Sequence, residues 1–173
     1  IADPCLIQTS AKTLKKKIKL NILDDIDSKT HAGPSVINIL PINLTTKNTP
    51  GKLNPKNATY VMDTIKKAAE LCLAKKARSM VTGPISKSVL NDGGYKISGH
   101  TEFLADICKN KSVMMLMNSY MKVALHTTHV PLQNVYKYIT IESIKETIRI
   151  IHADLKNKFG IQKPKILVTG LNP

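Results

Sequence analysis

The sequence predicts an α/β protein whose strands pair mainly in parallel. Short apolar runs of strand length alternate along the chain with longer segments in which apolar residues recur at helical spacing. Such alternation is typical of a sheet covered by helices, because a parallel connection needs a crossover of helix length. Neither of two common nucleotide-binding fingerprints, G-x-G-x-x-G and G-x-x-x-x-G-K-[ST], occurs in the sequence.

The first part of the chain contains a basic segment, one strand and one clear amphipathic helix. A short helix is predicted over 13–20, which holds three consecutive lysines, and a strand over 35–43, which Pro41 ends. A longer helix follows, and Asn57 is predicted to cap it. Its apolar positions recur at helical spacing and are Val61, Ile65, Ala68, Ala69 and Cys72.

A glycine-rich region follows a predicted short buried strand at 78–84, which runs into a Gly-Pro turn. A helical turn comes next, and then Gly93, Gly94 and Gly99. Because glycine adopts backbone conformations that other residues avoid, these three positions favour a hinge between two lobes. A new helix is predicted to open at Thr101, whose hydroxyl can cap its first turn.

The last part of the chain contains two strands, a long helix and a final strand. The strands are predicted at 112–118 and 121–127, and the final one lies in 163–173 before a loop. The long helix lies between the second and the final of these strands and is predicted to end at Gly160, a residue suited to a helix C-terminus. Its apolar positions are Ile144, Ile148, Ile151, Leu155 and Phe159.

Composition narrows the classes of function. A hydrophobic share of 42% and a charged share of 22% are typical of a globular chain, and no apolar stretch is long enough to cross a bilayer. The net charge of +14 favours an anionic partner such as a nucleic acid. Only two of the 26 basic residues are arginine, there is no Trp, and aromatic residues are 4%, which argues against a base-stacking surface. Three scattered cysteines predict neither structural zinc nor a disulfide framework.

A polar loop after the strand at 121–127 contains His126 and His129. A neutral imidazole is a suitable ligand for a divalent metal, so this loop is a candidate metal site. The alternative is an ordinary loop in which a histidine is hydrogen-bonded to the backbone, and no third ligand has local spacing. The residues alone leave both interpretations open. The other isolated histidines, His31 and His152, are predicted to lie on the surface.

The segment "GHTEF" (99–103) is a candidate anion site. Gly99 permits close approach of a ligand to the backbone, His100 offers a hydrogen-bond donor, and Thr101 opens a helix whose free N–H groups favour anions. Lys87 could neutralise the charge of a bound anion. The alternative is an ordinary helix start preceded by a surface histidine, with a solvated lysine nearby.

Four ordered segments carry a resemblance to a known family. "VTGPISKSVLNDGGYKISGHTEFLAD", "VMMLM", "VALHTTHVPL" and "FGIQKPKILVTGLNP" resemble, in this order, the 4-hydroxythreonine-4-phosphate dehydrogenase family of vitamin B6 biosynthesis. The similarity covers nearly all of residues 56–173, and residues 1–55 match more loosely. Several collinear motifs of this length are far more specific than any one of them.

The resemblance implies the two-lobed α/β fold of the isocitrate and isopropylmalate dehydrogenases, present only in part. Residues 1–94 would belong to the first lobe and residues 95–173 to the second, both incomplete. The active site of such an enzyme would lie in a cleft at the interface of a homodimer. The resemblance also implies a cytoplasmic enzyme with no nucleic-acid or membrane partner.

The resemblance implies a reaction as well. It is the NAD- or NADP-dependent oxidation of the secondary alcohol of 4-phosphooxy-L-threonine, followed by loss of carbon dioxide to give 3-amino-2-oxopropyl phosphate for pyridoxal phosphate biosynthesis. The family holds one divalent metal ion, zinc, magnesium or cobalt, with three histidines. His129 matches the first of these, and His126 occupies a position that the family does not use. His100 and Thr101 match a substrate-binding pair.

The family pattern also includes features that this sequence does not contain. A glycine-rich strand and loop would precede Ile1, and the other two metal histidines and most cofactor-binding positions would follow Pro173. The chain is therefore expected to be a fragment that lacks both ends and has no dehydrogenase activity alone. Three alternatives stay open: a related dehydrogenase of a phosphorylated threonate or erythronate, a basic nucleic-acid-binding module, and a degenerate fragment without catalytic activity.

Overall fold

The computed structural model describes residues 1–28 and 33–172. They form two compact units, and the division falls between Asn110 and Lys111. The predicted boundary after residue 94 concerns the lobes of a longer enzyme and stays a prediction. The predicted surface position of His31 lies outside the described residues.

The described part of the first unit contains four α-helices, one 3-10 turn and a two-stranded sheet. A parallel pairing joins the strands, with Lys19 opposite Val36 and Ile22 opposite Ile39. Its core is formed by buried apolar side chains from two helices and from the loop that follows the second of them: Ala58, Met62, Leu90 and Ile97. In chain order the elements are α1 (Pro4–Thr13), β1 (Lys19–Ile22), β2 (Val36–Ile39), the 3-10 turn Pro55–Asn57, α2 (Ala58–Leu73), α3 (Lys87–Asp92) and α4 (His100–Cys108).

Of the five helical segments in the described part of this unit, four are α-helices and the fifth is the 3-10 turn. The first α-helix starts much earlier than the sequence prediction, so the predicted helix over 13–20 is wrong. One carboxylate oxygen of Asp3 accepts hydrogen bonds from the N–H groups of Cys5 (2.7 Å) and Leu6 (3.2 Å), which caps α1. Pro4, whose fixed φ suits the first helical position, follows this cap. The lysine run lies beyond the helix end and leads into β1.

Asp3 also joins three separate parts of the first unit. Its second carboxylate oxygen accepts a hydrogen bond from the N–H of Leu44 (2.7 Å), and its own N–H donates to the Tyr60 hydroxyl on α2 (3.1 Å). The N–H groups of Leu44, Leu6 and Cys5 favour the ionised carboxylate and lower the pKa of Asp3, although its burial opposes this effect. The buried Asp3 carboxylate is therefore a structural anchor.

The other predictions for this unit have mixed outcomes. The predicted strand over 35–43 is confirmed as β2, and the long amphipathic helix is confirmed as α2. Asn57 precedes α2 but does not cap it, because its side-chain oxygen accepts from the N–H (2.9 Å) and the hydroxyl (3.1 Å) of Thr46 instead. The predicted buried strand at 78–84 is wrong: the segment pairs with no strand in the described residues, and Val81 is 99% exposed.

Three helices of this unit end at a lysine with left-handed backbone conformation. The φ angles of Lys15, Lys75 and Lys109 are 51°, 58° and 50°. After α1 and α2 the next N–H reaches back to a helix carbonyl, from Lys16 to Ala11 and from Lys76 to Leu71, both at 2.9 Å. Glycine is the usual residue at this position, because a Cβ atom is strained there.

The second unit contains a hairpin, a 3-10 segment and one long helix in its described part. The hairpin pairs its strands antiparallel, with Met114 opposite Leu125, so the prediction of mainly parallel pairing is wrong here. The long helix is confirmed, and it buries Thr147, Ile151 and Leu155. The elements are β3 (Met114–Met117), β4 (Lys122–Leu125), the 3-10 segment Leu132–Tyr138 and α5 (Ile141–Asn157).

The described chain after α5, residues 158–172, contains neither helix nor strand. Gly160, predicted to end the helix, has a left-handed φ of 72°, two residues beyond the cap residue Lys158. The final predicted strand is wrong for the described residues 163–172, which form no strand, and Leu167 is 95% exposed. Helices and sheets together confirm the α/β class. Over the described ranges, no helix combines the length and the apolar character needed to span a bilayer.

Candidate functional site

The N-terminus of α4 is the first candidate site. The helix begins at His100, one residue before the predicted start, and the extended Gly99 (φ 167°) precedes it. No side chain caps this end, so the prediction that the Thr101 hydroxyl caps the first turn is wrong. The first N–H groups of a helix have no partner within the helix, and here no side-chain cap supplies one. This end of α4 can therefore receive an acceptor from a ligand.

His100 lies at this helix start and has an unsatisfied nitrogen. Its Nε2 atom is buried and makes no hydrogen bond to any described residue. The side chain lines a cavity of about 470 Å³ within the first unit, together with apolar side chains of α2 and residues 79–85, which have no regular secondary structure. A buried polar atom without a partner costs about 1–3 kcal/mol, so a ligand group that bonded Nε2 would recover free energy.

Two charged side chains approach the same helix start. A Cβ atom on Gly99 would lie 3.0 Å from Oε2 of Glu102 and 3.5 Å from Nζ of Lys87. A larger residue at position 99 would therefore press on both side chains. Lys87 adds positive charge that favours an anion here, whereas the Glu102 carboxylate limits how much negative charge the site accepts.

His129 is the second candidate site and lies in the other unit. It is exposed, in the loop that follows β4, and has a left-handed φ of 57°. Residues other than glycine adopt this conformation rarely, and such residues cluster at functional sites. Within 1–28 and 33–172, no group of three or more His, Cys, Asp or Glu side chains is arranged to hold a metal ion. His129 thus offers a single imidazole.

His126, three residues earlier, has a different environment. Its Nδ1 lies 3.0 Å from the Thr147 hydroxyl, and its Nε2 lies 3.1 Å from the Ser143 hydroxyl and 3.3 Å from the Tyr138 carbonyl oxygen. Both ring nitrogens are therefore occupied by groups of α5 and of the segment before it. Of the two interpretations of this loop, His126 fits the hydrogen-bonded histidine.

The structure thus places the predicted site residues in two units. His100 and Thr101 lie side by side at the start of α4, and His129 lies in the second unit. His152 is exposed on α5, as predicted. Sequence reasoning offered a hydrogen-bonded histidine as one interpretation of this loop but did not identify its side-chain partners. One signal for them was present: the hydroxyl residues Ser143 and Thr147 are four apart on one face of α5.

Comparison with known proteins gives consistent results along the whole chain. A family model described as pyridoxal phosphate biosynthetic protein PdxA matches residues 1–173. The 4-hydroxythreonine-4-phosphate dehydrogenase of Methylococcus capsulatus is 41% identical over 173 residues, which are 100% of this chain and 52% of the relative. The enzyme of that name from Pseudomonas syringae is 49% identical over 124 residues, 71% of this chain and 38% of the relative.

Solved structures show the same relationship. A 4-hydroxythreonine-4-phosphate dehydrogenase from Burkholderia phymatum superposes with a TM-score of 0.89 at 28% identity, over 99% of this chain and 52% of that one. The protein of that name from Klebsiella pneumoniae has a TM-score of 0.89 at 24% identity, over 99% and 54% of the two chains, and shows the fold alone. The chain spans about half the length of the curated relatives that it matches over its whole length.

Proposed function

Because the chain belongs to the PdxA family of pyridoxal phosphate biosynthetic proteins, we propose that it forms part of a 4-hydroxythreonine-4-phosphate dehydrogenase. The reaction is the oxidation of the secondary alcohol of 4-phosphooxy-L-threonine, with loss of carbon dioxide to give 3-amino-2-oxopropyl phosphate. Relatives with this name match all of the chain, which supports the assignment. The observation that carries it to particular residues is the buried, unpartnered Nε2 of His100.

His100 and Thr101 are the proposed substrate-binding residues. The substrate is an anion with several hydrogen-bonding groups, and an uncapped helix start beside an imidazole suits such a molecule. Nε2 of His100 would bond a polar group of the substrate, and the Thr101 hydroxyl, which makes no hydrogen bond to a described residue, is available for another. Lys87 would add a favourable charge near the same helix start.

His129 is the proposed ligand of a divalent metal ion: zinc, magnesium or cobalt. Its imidazole is exposed and its backbone is held in an uncommon conformation, which supports a functional role. When bound, such an ion polarises a hydroxyl or carbonyl oxygen as a Lewis acid. His129 alone provides one ligand, so further ligands belong to the remaining length of such an enzyme.

The remaining features of the family are part of the same proposal. They are the lobes of the isocitrate and isopropylmalate dehydrogenase fold, with 1–94 in the first and 95–173 in the second, and a homodimer with the site at its interface. NAD or NADP would accept the hydride, and the enzyme would work in the cytoplasm. The small phosphorylated substrate fits the names of the relatives.

The test uses a protein of the relatives' full length that carries residues 1–173. With 4-phosphooxy-L-threonine, NAD and a divalent metal, we expect NADH to form. His100→Ala should raise KM and lower kcat/KM, and His129→Ala should weaken the dependence of the rate on metal concentration. His152→Ala, on an exposed position of α5, is the matched control and should leave both unchanged. Unchanged kinetics in the His100 and His129 variants would contradict the proposed roles.

A further inference from the structure

We propose that His126 is a positioning residue that fixes the loop carrying His129. Its imidazole joins the end of β4 to α5, and the loop between His126 and Pro131 is thereby held at its first residue. The claim that His126 fixes the conformation of this loop does not depend on what the loop binds. The claim that this conformation matters for metal binding rests on the proposed function.

The hydrogen bonds of the ring define its orientation. The Thr147 hydroxyl donates to the Ser143 carbonyl oxygen at 3.0 Å, so the Thr147 oxygen can accept from Nδ1–H of His126. Nε2 then faces the Ser143 hydroxyl at 3.1 Å. Thr147 is only 6% exposed, so water cannot easily replace the ring as its partner. The bond from His126 to Thr147 is therefore the one on which the position of the ring depends most.

The partners of His126 belong to a helix end that is itself firmly held. Ser143 and Thr140 exchange hydrogen bonds between side chain and backbone, a capping box at the start of α5. The Tyr138 carbonyl oxygen, at the end of the 3-10 segment that follows the loop, lies 3.3 Å from Nε2. Because Nε2 is an acceptor in this tautomer, that approach is a packing contact and not a hydrogen bond. The ring thus contacts both the helix and the segment through which the loop returns to it.

The other end of the loop is fixed as well. Pro131 has a restricted φ, and its carbonyl oxygen accepts from the N–H of Asn134 at 2.8 Å as the 3-10 segment begins. Between these two fixed ends, His129 has a φ of 57°. An uncommon backbone conformation persists only when its surroundings restrain it, and His126 supplies that restraint on one side.

The experiment compares three substitutions at position 126 with one control. His126→Ala removes both ring bonds. His126→Asn places an amide N–H near the position of Nδ1 and can still donate to Thr147, whereas His126→Gln reaches the position of Nε2 and loses that donor. His152→Ala removes an exposed histidine from the same unit and has no described hydrogen bond to lose.

The first readout is solution NMR of the chain itself. In the wild type we expect a single set of amide signals for residues 127–130, a backbone coupling at His129 that fits left-handed φ, and an Nδ1–H tautomer for His126. The Ala and Gln variants should average that coupling and broaden or shift the loop signals, and the Asn variant should restore them. Wild-type loop signals in both the Ala and the Gln variants would overturn the proposal. If the Ala variant does not fold, the Gln variant decides.

The second readout is Zn²⁺ affinity, measured by competition with a chromophoric chelator in a protein of the relatives' length. Groups that orient a metal ligand typically change affinity by about 10–100-fold, so His126→Ala should weaken Zn²⁺ binding by roughly 10-fold and His126→Asn should restore most of it. A loosened loop with unchanged Zn²⁺ affinity would uphold the positioning of the loop and reject His129 as a ligand. The two proposals can therefore fail separately.

Discussion

The N-termini of helices α4 and α5 satisfy their hydrogen-bonding groups in opposite ways. At α5, the Thr140 hydroxyl accepts from the N–H of Ser143 at 3.1 Å, the Ser143 hydroxyl accepts from the N–H of Thr140 at 3.0 Å, and His126 bonds to the same turn. At α4, Gly99 has no side chain to act as a cap, and Nε2 of His100 is buried without a described partner. The hydrogen-bonding groups at the start of α5 therefore have partners, whereas the start of α4 has groups that can still bond a ligand.

The difference separates a structural histidine from a candidate binding histidine. A saturated network stabilises the fold but has no hydrogen-bonding capacity left for a ligand. An unsatisfied buried group lowers stability, and it is retained where a ligand completes it. His126 and His100 both follow or open an element in a polar stretch, yet only His100 has a ring nitrogen available.

The largest expected effect tests the open end. In a protein of the relatives' length, His100→Ala should lower kcat/KM by about 100-fold, because a group that binds the reacting molecule is lost. Its free energy of unfolding should change by no more than about 1 kcal/mol, since Nε2 has no partner to lose. Steady-state kinetics and urea denaturation measure the two quantities. A large loss of stability with normal kinetics would reverse the comparison.

The next effect tests the saturated end. His126→Ala should lower the free energy of unfolding by about 2 kcal/mol, because the buried Thr147 hydroxyl loses its hydrogen bond to the ring. The control His152→Ala should change it by less than about 0.5 kcal/mol. Urea denaturation followed by circular dichroism gives both values. Equal stabilities of the two variants would show that the His126 bonds contribute little.

The N-terminus of α1 tests whether uncapped helix starts are a general property of the first unit. Asp3→Asn keeps one oxygen for the cap of α1 but cannot accept from Leu44 in the same way, so we expect a loss of about 1.5 kcal/mol at neutral pH. The backbone N–H of Leu44 and those of Leu6 and Cys5 lower the pKa of Asp3 in the folded state. The ionised carboxylate therefore stabilises the fold above the unfolded pKa of about 4, and this contribution is lost as pH falls through the lower folded pKa.

That pH dependence is measurable as a difference between two proteins. The stability gap between wild type and Asp3→Asn, from urea midpoints, should be full at neutral pH and close in acid. A gap that stays constant across this range would show that the charge on Asp3 is not what stabilises the cap.

The smallest effects compare the two threonines directly. Thr140→Ala should cost about 1 kcal/mol, because it removes the cap of α5. Thr101→Ala should cost less than about 0.5 kcal/mol, because the Thr101 hydroxyl caps nothing. Thermal or urea unfolding of both variants provides the measurement. Similar losses at the two positions would remove the contrast between the helix ends.

Periodic apolar patterns predicted the long elements well. α2 and α5 were found because each has a continuous apolar face, and β2, β3 and β4 because each is a short apolar run. α1 was missed although its signal was present, since Asp3 and Pro4 are a typical cap and first residue. The lysine run at 15–17 was favoured instead because lysine has high intrinsic helix propensity, which is a weak local preference.

The wrong strand predictions have a different cause. The segments at 78–84 and 163–173 have apolar, strand-like composition, but a strand also needs a neighbour to bond, which composition cannot specify. The same limit applies to the sites. Sequence could nominate His100, His126 and His129, but only coordinates show which ring nitrogens are already bonded.

The left-handed lysines at the ends of α1, α2 and α4 have a practical consequence for protein engineering. Lys15, Lys75 and Lys109 are exposed, so a glycine at any of them would remove backbone strain without disturbing a core contact. These positions end different helices, and no described hydrogen bond or ion pair joins them, so their gains should add. Glycine substitutions at these helix ends should therefore raise the melting temperature without altering either candidate site.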